Sequence, residues 1–115
     1  MATRPRTSRD DVLRFGPMEV RPAELQVLID GRRVGLTVRE FQTFECLVRK
    51  ADRVMTREHI YECVWGGPMP RRDRSVDVFI RKIRGKLDAC APGVEYIHTH
   101  FGVGYRFSPV DAQPH

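Results

Sequence analysis

The sequence predicts an α+β domain in which a small antiparallel sheet, three helices and a C-terminal β-hairpin follow one another. Short β-type runs separated by turn dipeptides occupy the N-terminal part, helical periodicity follows threonine caps, and paired glycines divide a late β-type stretch. At 115 residues the chain has room for one domain. We expect it to span residues 12–107, with 1–11 as a flexible N-terminal arm or linker and 108–115 as a C-terminal tail.

The N-terminal sheet is predicted from apolar residues that alternate with polar ones in short runs. Gly16-Pro17 separates the first two runs, and Pro22 ends the second. Asp30-Gly31 then lies between residues 26–29 and 32–35. This dipeptide is a strong hairpin signal, because both central positions of a type I′ turn need positive φ. We therefore expect a small antiparallel sheet at the start of the domain.

Two threonines mark the starts of the first two helices. Thr37 with Glu40 forms a capping box, and the helix behind it presents an apolar face of Phe41, Phe44, Leu47 and Val48. This helix should end near Lys50, with Asp52 in a left-handed exit. The second helix should start at Thr56 and close at Trp65-Gly66-Gly67-Pro68. Its inner side is predicted to hold Ile60, Cys63 and Val64.

The third helix is predicted to begin after Asp73, which we assign as its N-cap. At about 100° per residue, one narrow stripe must face the core. This stripe consists of Val76, Ile80, Ile83 and Leu87. The opposite side presents Arg74, Val78, Arg81, Lys82 and Gly85. Such a helix has the form of a major-groove reader, with cations for phosphates or guanine edges and a valine for a thymine methyl.

The C-terminal segment is predicted to form a β-hairpin that completes the fold. Residues 96–100 and 105–107 are β-type runs, and Gly102 and Gly104 supply the turn between them. A sheet, three helices and a terminal hairpin in this order are typical of a winged helix-turn-helix. The hairpin is the wing of that architecture.

The distribution of charge indicates a polyanionic partner. The formal net charge is +5, from 20 basic and 15 acidic residues. Residues 71–86 contain seven basic and two acidic residues, so this segment alone accounts for the whole excess. A solvated helix face is the simpler interpretation of a charge run, but concentration on one helix favours nucleic acid.

Several other classes of protein are disfavoured by the sequence. No apolar run approaches the roughly 20 residues of a membrane span, and residues 1–11 lack the apolar stretch of a signal peptide, so we expect a cytoplasmic location. Cys46, Cys63 and Cys90 contain no C-x-x-C spacing, which argues against a zinc finger or a disulfide framework. His98 and His100 share a strand face but have no third ligand or general base beside them. We expect no enzyme activity, metal or cofactor.

The predicted elements contain six short sequence blocks in a fixed order. They are Leu36-Thr37-x-x-Glu40-Phe41, Thr56-Arg57-Glu58, Val64-Trp65-Gly66, Arg74-Ser75-Val76-Asp77-Val78-x-Ile80-Arg81, Ile83-Arg84-x-Lys86-Leu87 and Gly102-x-Gly104-Tyr105-Arg106-Phe107. Together they resemble the OmpR/PhoB-type winged-helix effector domains of response regulators in two-component systems. The resemblance implies a transcription regulator that binds direct repeats in double-stranded DNA, usually as a head-to-tail pair. It also implies a contact with RNA polymerase through the loop 66–73.

The resemblance further implies a set of DNA-contacting residues. Its members are Arg74, Arg81, Lys82 and Arg84 for phosphates or bases, Val78 for thymine methyls, and Thr99 and Tyr105 for phosphates at the base of the wing. Two positions depart from the family pattern. Phe79 replaces a common histidine, and Phe101 lies at the wing tip, where an arginine often enters the minor groove. Arg84 lies at the flank of the core stripe, so an ion pair with Asp77 is an alternative to a phosphate contact.

Two questions stay open at the level of sequence. A winged-helix fold with reduced or lost DNA binding would serve as a protein-interaction module, and fold alone permits this. The basic face of the third helix argues against that alternative, and the two phenylalanine departures argue weakly for it. The residues before the first strand contain no phosphoacceptor module, which fits either an effector domain cut from a longer regulator or a free-standing relative.

Overall fold

The computed structural model describes residues 11–111 as two sheets and three α-helices. Apart from Asp11, the arm predicted for residues 1–11 lies outside the described residues, as do residues 112–115. The elements are β1 (Leu13–Phe15), β2 (Met18–Arg21), a 3-10 turn (Pro22–Glu24), β3 (Gln26–Ile29), β4 (Arg32–Val34), α1 (Val38–Val48), β5 (Val54–Thr56), α2 (Arg57–Trp65), α3 (Ser75–Cys90), β6 (Val94–His100) and β7 (Gly104–Asp111). This order confirms the predicted sheet, three helices and hairpin.

The N-terminal sheet is a four-stranded antiparallel meander in the order β1-β2-β3-β4. Its last turn contains Asp30 at φ 53° and Gly31 at φ 77°. Both central residues thus have the positive φ that the dipeptide predicted. The inward-facing residues Met18, Val20, Val27 and Ile29 are all buried, so this sheet closes one side of the core.

The caps of α1 and α2 also follow the sequence. The Thr37 hydroxyl accepts a hydrogen bond from the Glu40 N–H at 3.2 Å, and the Glu40 carboxylate accepts one from the Thr37 N–H at 2.8 Å. The Thr56 hydroxyl accepts from the His59 N–H at 3.1 Å. Helix α1 ends at Val48, slightly before the expected Lys50, and Asp52 leaves with φ 67°. Each cap satisfies backbone donors that the first helical turn leaves unpaired.

Two local predictions are wrong. Cys63 is exposed rather than inward-facing. The half-buried Tyr61 and Trp65 turn the contact face of α2 toward the side of Ile60 that lies away from Cys63. The N-cap of α3 is Arg74 instead of Asp73. The Asp73 carboxylate still accepts from the Ser75 N–H at 2.7 Å, so it stabilises the start of the helix from one position further out.

The second sheet has three strands in the order β5-β7-β6, and β5 was not predicted. Residues 54–56 pair with β7 between the first two helices, which fastens the wing to the helical part. A Cβ added to Gly104 would overlap the carbonyl group of Met55, so this glycine permits the close approach of β5 and β7. Strand β7 continues to Asp111, past the domain boundary expected at residue 107.

The core lies where the two sheets and the helices meet. The predicted stripe of α3 is buried in full, as is the apolar face of α1. Phe107 joins the parts: its ring packs edge-on against Phe15 at 4.9 Å and Phe44 at 5.5 Å, and it is stacked on Tyr96 at 6.4 Å. The N-terminal sheet, α1 and the wing therefore share one core, which holds α3 in a fixed position.

Candidate nucleic-acid interface

The outer face of α3 presents a group of exposed side chains that the sequence predicted to point outward. They are Arg74, Val78, Arg81 and Lys82. Val78 is 44% exposed, although it lies two residues from the fully buried Ile80 and Val76 on either side. Arg81 and Lys82 form no ion pair with another residue in the range 11–111. The buried stripe and the cationic face thus lie on opposite sides of one helix.

Asp77 connects α3 to both α2 and the wing. Its carboxylate accepts a hydrogen bond from Arg57 Nε at 2.8 Å and another from the Tyr105 hydroxyl. Burial by itself raises the pKa of Asp77, but the hydrogen bonds from Tyr105 and Arg57 outweigh it and hold the pKa below the usual value. Burial and the bond to Asp77 raise the pKa of Tyr105. The Tyr105 hydroxyl is therefore protonated and donates to this carboxylate.

Arg84 forms a second connection between α3 and the wing. Its guanidinium donates to the Ile97 carbonyl at 2.9 and 3.3 Å and to the Thr99 hydroxyl at 2.6 Å. It also lies over the Tyr105 ring, 5.6 Å from the centroid. The alternative of an Arg84–Asp77 ion pair is wrong, because Asp77 already binds Arg57. The guanidinium points toward strand β6 and not toward the helix N-terminus, so it meets the wing instead.

A third link runs from α3 to α1. Lys86 Nζ lies 2.6 Å from the carboxylate of Glu40, whose side chain is 3% exposed. Burial alone raises the pKa of Glu40, but the hydrogen bonds from Lys86 and the Thr37 N–H bring it below the usual value. The carboxylate that caps α1 is therefore charged, and it is paired with α3. Lys86 is committed to this pair and is not available on the cationic face.

Three aromatic side chains connect α2 to α3 beside the exposed face. Tyr61 is stacked on Trp65 with ring centroids 4.9 Å apart, and Trp65 meets Phe79 edge-to-face at 5.5 Å. We refer to Tyr61, Trp65 and Phe79 as the aromatic row. Lys82 Nζ lies 5.6 Å from the centroid of the Phe79 ring. The phenylalanine that departs from the family pattern thus packs between the helices and touches a proposed DNA-facing lysine.

The wing tip is apolar. Phe101 is 91% exposed and Val103 is 52% exposed, and Gly102 between them has φ 79°. Within residues 11–111 the Phe101 ring forms no aromatic or cation–π contact. The Phe101 ring is therefore exposed at the tip and does not pack against the hairpin.

The remaining candidate groups are His98 and His100, which both lie on strand β6. The His98 side chain is engaged at both nitrogens, with Nε2 2.6 Å from the Ser108 carbonyl and Nδ1 3.5 Å from the Glu95 carboxylate. Among residues 11–111, no three His, Cys, Asp or Glu side chains are placed to hold a metal ion. Within the same range, every helix is too short or too polar to span a bilayer.

The structure brings some of the predicted site residues together and commits others to internal bonds. One exposed face of α3 carries Arg74, Val78, Arg81 and Lys82. The contact between α3 and the wing contains the other three: Arg84 donates to Thr99, and Tyr105 donates to Asp77. Sequence reasoning missed Arg57, which completes this contact through Asp77. The sequence contained little indication of this contact, because the partner of Arg57 is Asp77, which lies on a different helix twenty positions later in the chain.

Comparison with known proteins places the chain in a family. A family model described as "Transcriptional regulatory protein, C terminal" matches residues 31–107. The chain belongs to this family of OmpR/PhoB-type effector domains. The resemblance derived from the six sequence blocks is therefore confirmed, and so is the winged-helix fold class.

Individual relatives agree with this assignment. SphR of Synechococcus elongatus, a transcriptional regulatory protein of alkaline phosphatase synthesis, is 35% identical over 95 residues, which cover 83% of this chain and 37% of SphR. The chain spans less than half the length of the curated relatives it matches. The Klebsiella pneumoniae RstA DNA-binding domain, solved in complex with the RstA box, has a TM-score of 0.75 at 31% identity and covers 84% of this chain and 96% of its own. The DNA-binding domain of CpxR from E. coli has a TM-score of 0.76 at 27% identity, over 84% of this chain and 95% of its own.

Proposed function

We propose that the chain is a sequence-specific duplex-DNA-binding effector domain of a transcriptional regulator. The observation that carries the proposal is the outer face of α3, where three exposed cations and an exposed valine lie opposite a fully buried stripe. A helix of this form fits the major groove, and its cations release the counterions that surround DNA. The RstA domain, which is similar in sequence and fold, has been solved with a DNA site, and this supports the proposal.

Each residue of the outer face has a role in this proposal. Arg81 and Lys82 discriminate between sequences through base edges and adjacent phosphates, because they are exposed cations midway along α3. Arg74, at the N-cap, binds a phosphate and sets the register of the helix on the duplex. Val78 packs against thymine methyl groups. The wing tip with Phe101 lies on the adjacent backbone or minor groove.

Arg84, Thr99 and Tyr105 receive a different emphasis from the one their family positions imply. Their polar groups are bonded within the protein, to the Ile97 carbonyl, to each other or to Asp77. We assign them to setting the angle of the wing against α3. The Thr99 hydroxyl oxygen accepts from Arg84, so its O–H remains to donate to a phosphate oxygen.

The proposal extends to partners beyond a single duplex site. Binding of direct repeats as a head-to-tail pair follows from the family resemblance, as does contact with RNA polymerase through the loop 66–73. In that loop Arg71 and Arg72 are exposed, and Arg72 has φ 60°, a left-handed conformation that is uncommon for residues other than glycine. Binding to duplexes with one repeat or two measures the cooperativity of the pair. We propose no catalytic activity, and a location in the cytoplasm where DNA is accessible.

The test is a binding titration on selected DNA. Sites are enriched from random-sequence duplexes, and affinity is measured at two salt concentrations for the selected site and for a random duplex. A DNA-binding domain loses affinity steeply as salt increases. A protein-interaction module that retains only the fold would show no salt-dependent binding and no enriched site, which would refute the proposal.

Three variants locate the interface. Arg81→Ala should cost about 1–3 kcal/mol on the selected site and relax base preference, whereas Arg74→Ala should weaken all duplexes similarly and lower the salt slope by about 1. Arg14→Ala is the matched control, because Arg14 is an exposed arginine on β1, at the edge of the other sheet. Equal behaviour of Arg81→Ala and Arg14→Ala would place the DNA elsewhere on the molecule.

A further inference from the structure

Phe79 is the member of the aromatic row that contacts both Trp65 and the cationic face of α3. It is half-buried, and its ring meets Trp65 at a centroid distance of 5.5 Å and an interplanar angle of 67°. Trp65 is itself held in place: it stacks on Tyr61, and the Arg39 guanidinium lies 5.2 Å from its ring centroid. Arg39 also donates to the Val64 carbonyl at 2.8 Å. The Phe79 ring is therefore packed from the α2 side.

The Phe79 ring also contacts Lys82. The ammonium lies 5.6 Å from the ring centroid, and the two residues are three positions apart on one helix face. A lysine side chain in a helix points back toward the helix N-terminus, which directs Lys82 over Phe79. The negative face of an aromatic ring attracts an ammonium group. Lys82 has no carboxylate partner among residues 11–111 that would compete for it.

We infer that Phe79 is a positioning residue for DNA recognition, whose ring holds the Lys82 ammonium on the DNA-facing side of α3. A free lysine side chain samples many rotamers and loses this freedom when it binds DNA. A lysine already restrained over a ring loses less. The ammonium has three N–H donors. The ring occupies only one side of the group, so the N–H donors on its other side remain available to a phosphate or a base. This inference rests on the proposed function, since it assigns Lys82 a DNA contact.

The inference is tested by a double-mutant cycle between Phe79 and Lys82, measured as affinity for the selected DNA site. Phe79→Leu keeps an apolar side chain against Trp65 but removes the aromatic face. Without the ring, a smaller fraction of the free protein holds Lys82 toward DNA. Phe79→Leu should therefore weaken binding roughly two- to five-fold, the factor that corresponds to the free energy of an exposed cation–π contact. Phe79→Tyr keeps the aromatic face and should bind like the parent. In a Lys82→Met background, Phe79→Leu should have no further effect.

A measurement without DNA tests the restraint separately. The ε-methylene protons of Lys82 should show an upfield ring-current shift in the NMR spectrum of the free protein. That shift should persist in Phe79→Tyr and vanish in Phe79→Leu. Urea midpoints are recorded for every variant, so that loss of affinity is compared only between folded proteins. If Phe79→Leu does not fold, Phe79→Met takes its place, since methionine is also apolar and has no ring.

The outcomes separate the inference from the proposed function. If Lys82→Met binds like the parent, Lys82 does not contact DNA, and both its proposed role and this inference fail. If Lys82→Met weakens binding but Phe79→Leu costs the same in both backgrounds, the role of Lys82 stands and the inference is wrong. If Phe79→Leu strengthens binding, the ring withholds Lys82 from DNA, which would also overturn the inference.

Discussion

The strongest quantitative prediction concerns Asp77, because its carboxylate on α3 binds Arg57 on α2 and Tyr105 on β7 and so links three elements. Replacing Asp77 with alanine removes the acceptor of Arg57 and Tyr105. The Arg57 side chain is 39% exposed, so its ion pair is worth only the 0.2–1 kcal/mol typical of surface pairs. The Tyr105 bond is different, since this residue is 6% exposed and donates to a charged acceptor, a bond worth about 1.5–3 kcal/mol. We expect Asp77→Ala to lower the free energy of unfolding by about 2–4 kcal/mol.

The assay is urea unfolding of four proteins: the parent, Asp77→Ala, Tyr105→Phe and the double variant. Tyr105→Phe keeps the ring under Arg84 and removes only the hydroxyl, so the cycle isolates the bond between the two side chains. Asp88→Ala, an exposed carboxylate of the same helix, is the control and should change stability by less than about 0.5 kcal/mol. Additive effects of the two single substitutions would show that the Asp77–Tyr105 bond contributes nothing, and an unchanged midpoint for Asp77→Ala would refute the whole argument.

Four further predictions concern stability and the wing. Ile80→Ala should cost about 2–5 kcal/mol in urea unfolding, whereas Val78→Ala on the exposed side of the same helix should leave the midpoint nearly unchanged and weaken DNA binding instead. Gly104→Ala should destabilise the protein strongly, because the new Cβ would overlap the backbone of Met55. Gly85→Ala places its Cβ in open space and should stabilise α3 by about 0.8–1 kcal/mol. A higher melting temperature for Gly104→Ala than for Gly85→Ala would contradict this. The pKa of Glu40 in the folded protein is below its usual 4.5, so the ionised carboxylate stabilises the fold above pH 4.5, and this stabilisation is lost as the pH falls through the pKa of the folded state. Glu40→Gln should therefore be less stable than the parent near pH 7, and the two proteins should become equally stable in acid. Phe101→Arg should strengthen binding selectively to sites with A·T-rich flanks, since a narrow minor groove attracts arginine; equal affinities for A·T-rich and G·C-rich flanks before and after the change would mean that the tip does not reach the groove.

Local signals in the sequence predicted most elements correctly, because each depends on residues close together in the chain. The Thr37–Glu40 capping box, the Asp30-Gly31 turn and the apolar stripe of α3 all require only neighbours within a few positions. Strand β5 could not be predicted in this way. Three residues without a turn signal become a strand only because β7, which is distant in sequence, offers hydrogen-bonding groups alongside them.

The same distinction applies to the candidate site. Helical periodicity alone determined which side of α3 carries Arg74, Val78, Arg81 and Lys82, because burial of the opposite stripe leaves them no other direction. It did not determine the partners of half-buried polar groups. Arg84 lies at the flank of the stripe, where the sequence left open an ion pair with Asp77 or a phosphate contact, but Arg84 binds β6 and Asp77 binds Arg57 and Tyr105.

The sequence by itself thus determined the fold class, the buried faces of α1 and α3 and the location of the positive charge, since these follow from short-range periodicity, capping and composition. Only the tertiary structure decided which cations remain free for a ligand and which are used internally. Arg57, Arg84 and Lys86 are bound to groups more than ten residues away, and Phe79 is placed between Trp65 and Lys82. The physical reason is that ion pairs and ring contacts act over a few ångströms in space, and the distance along the chain does not restrict which groups meet.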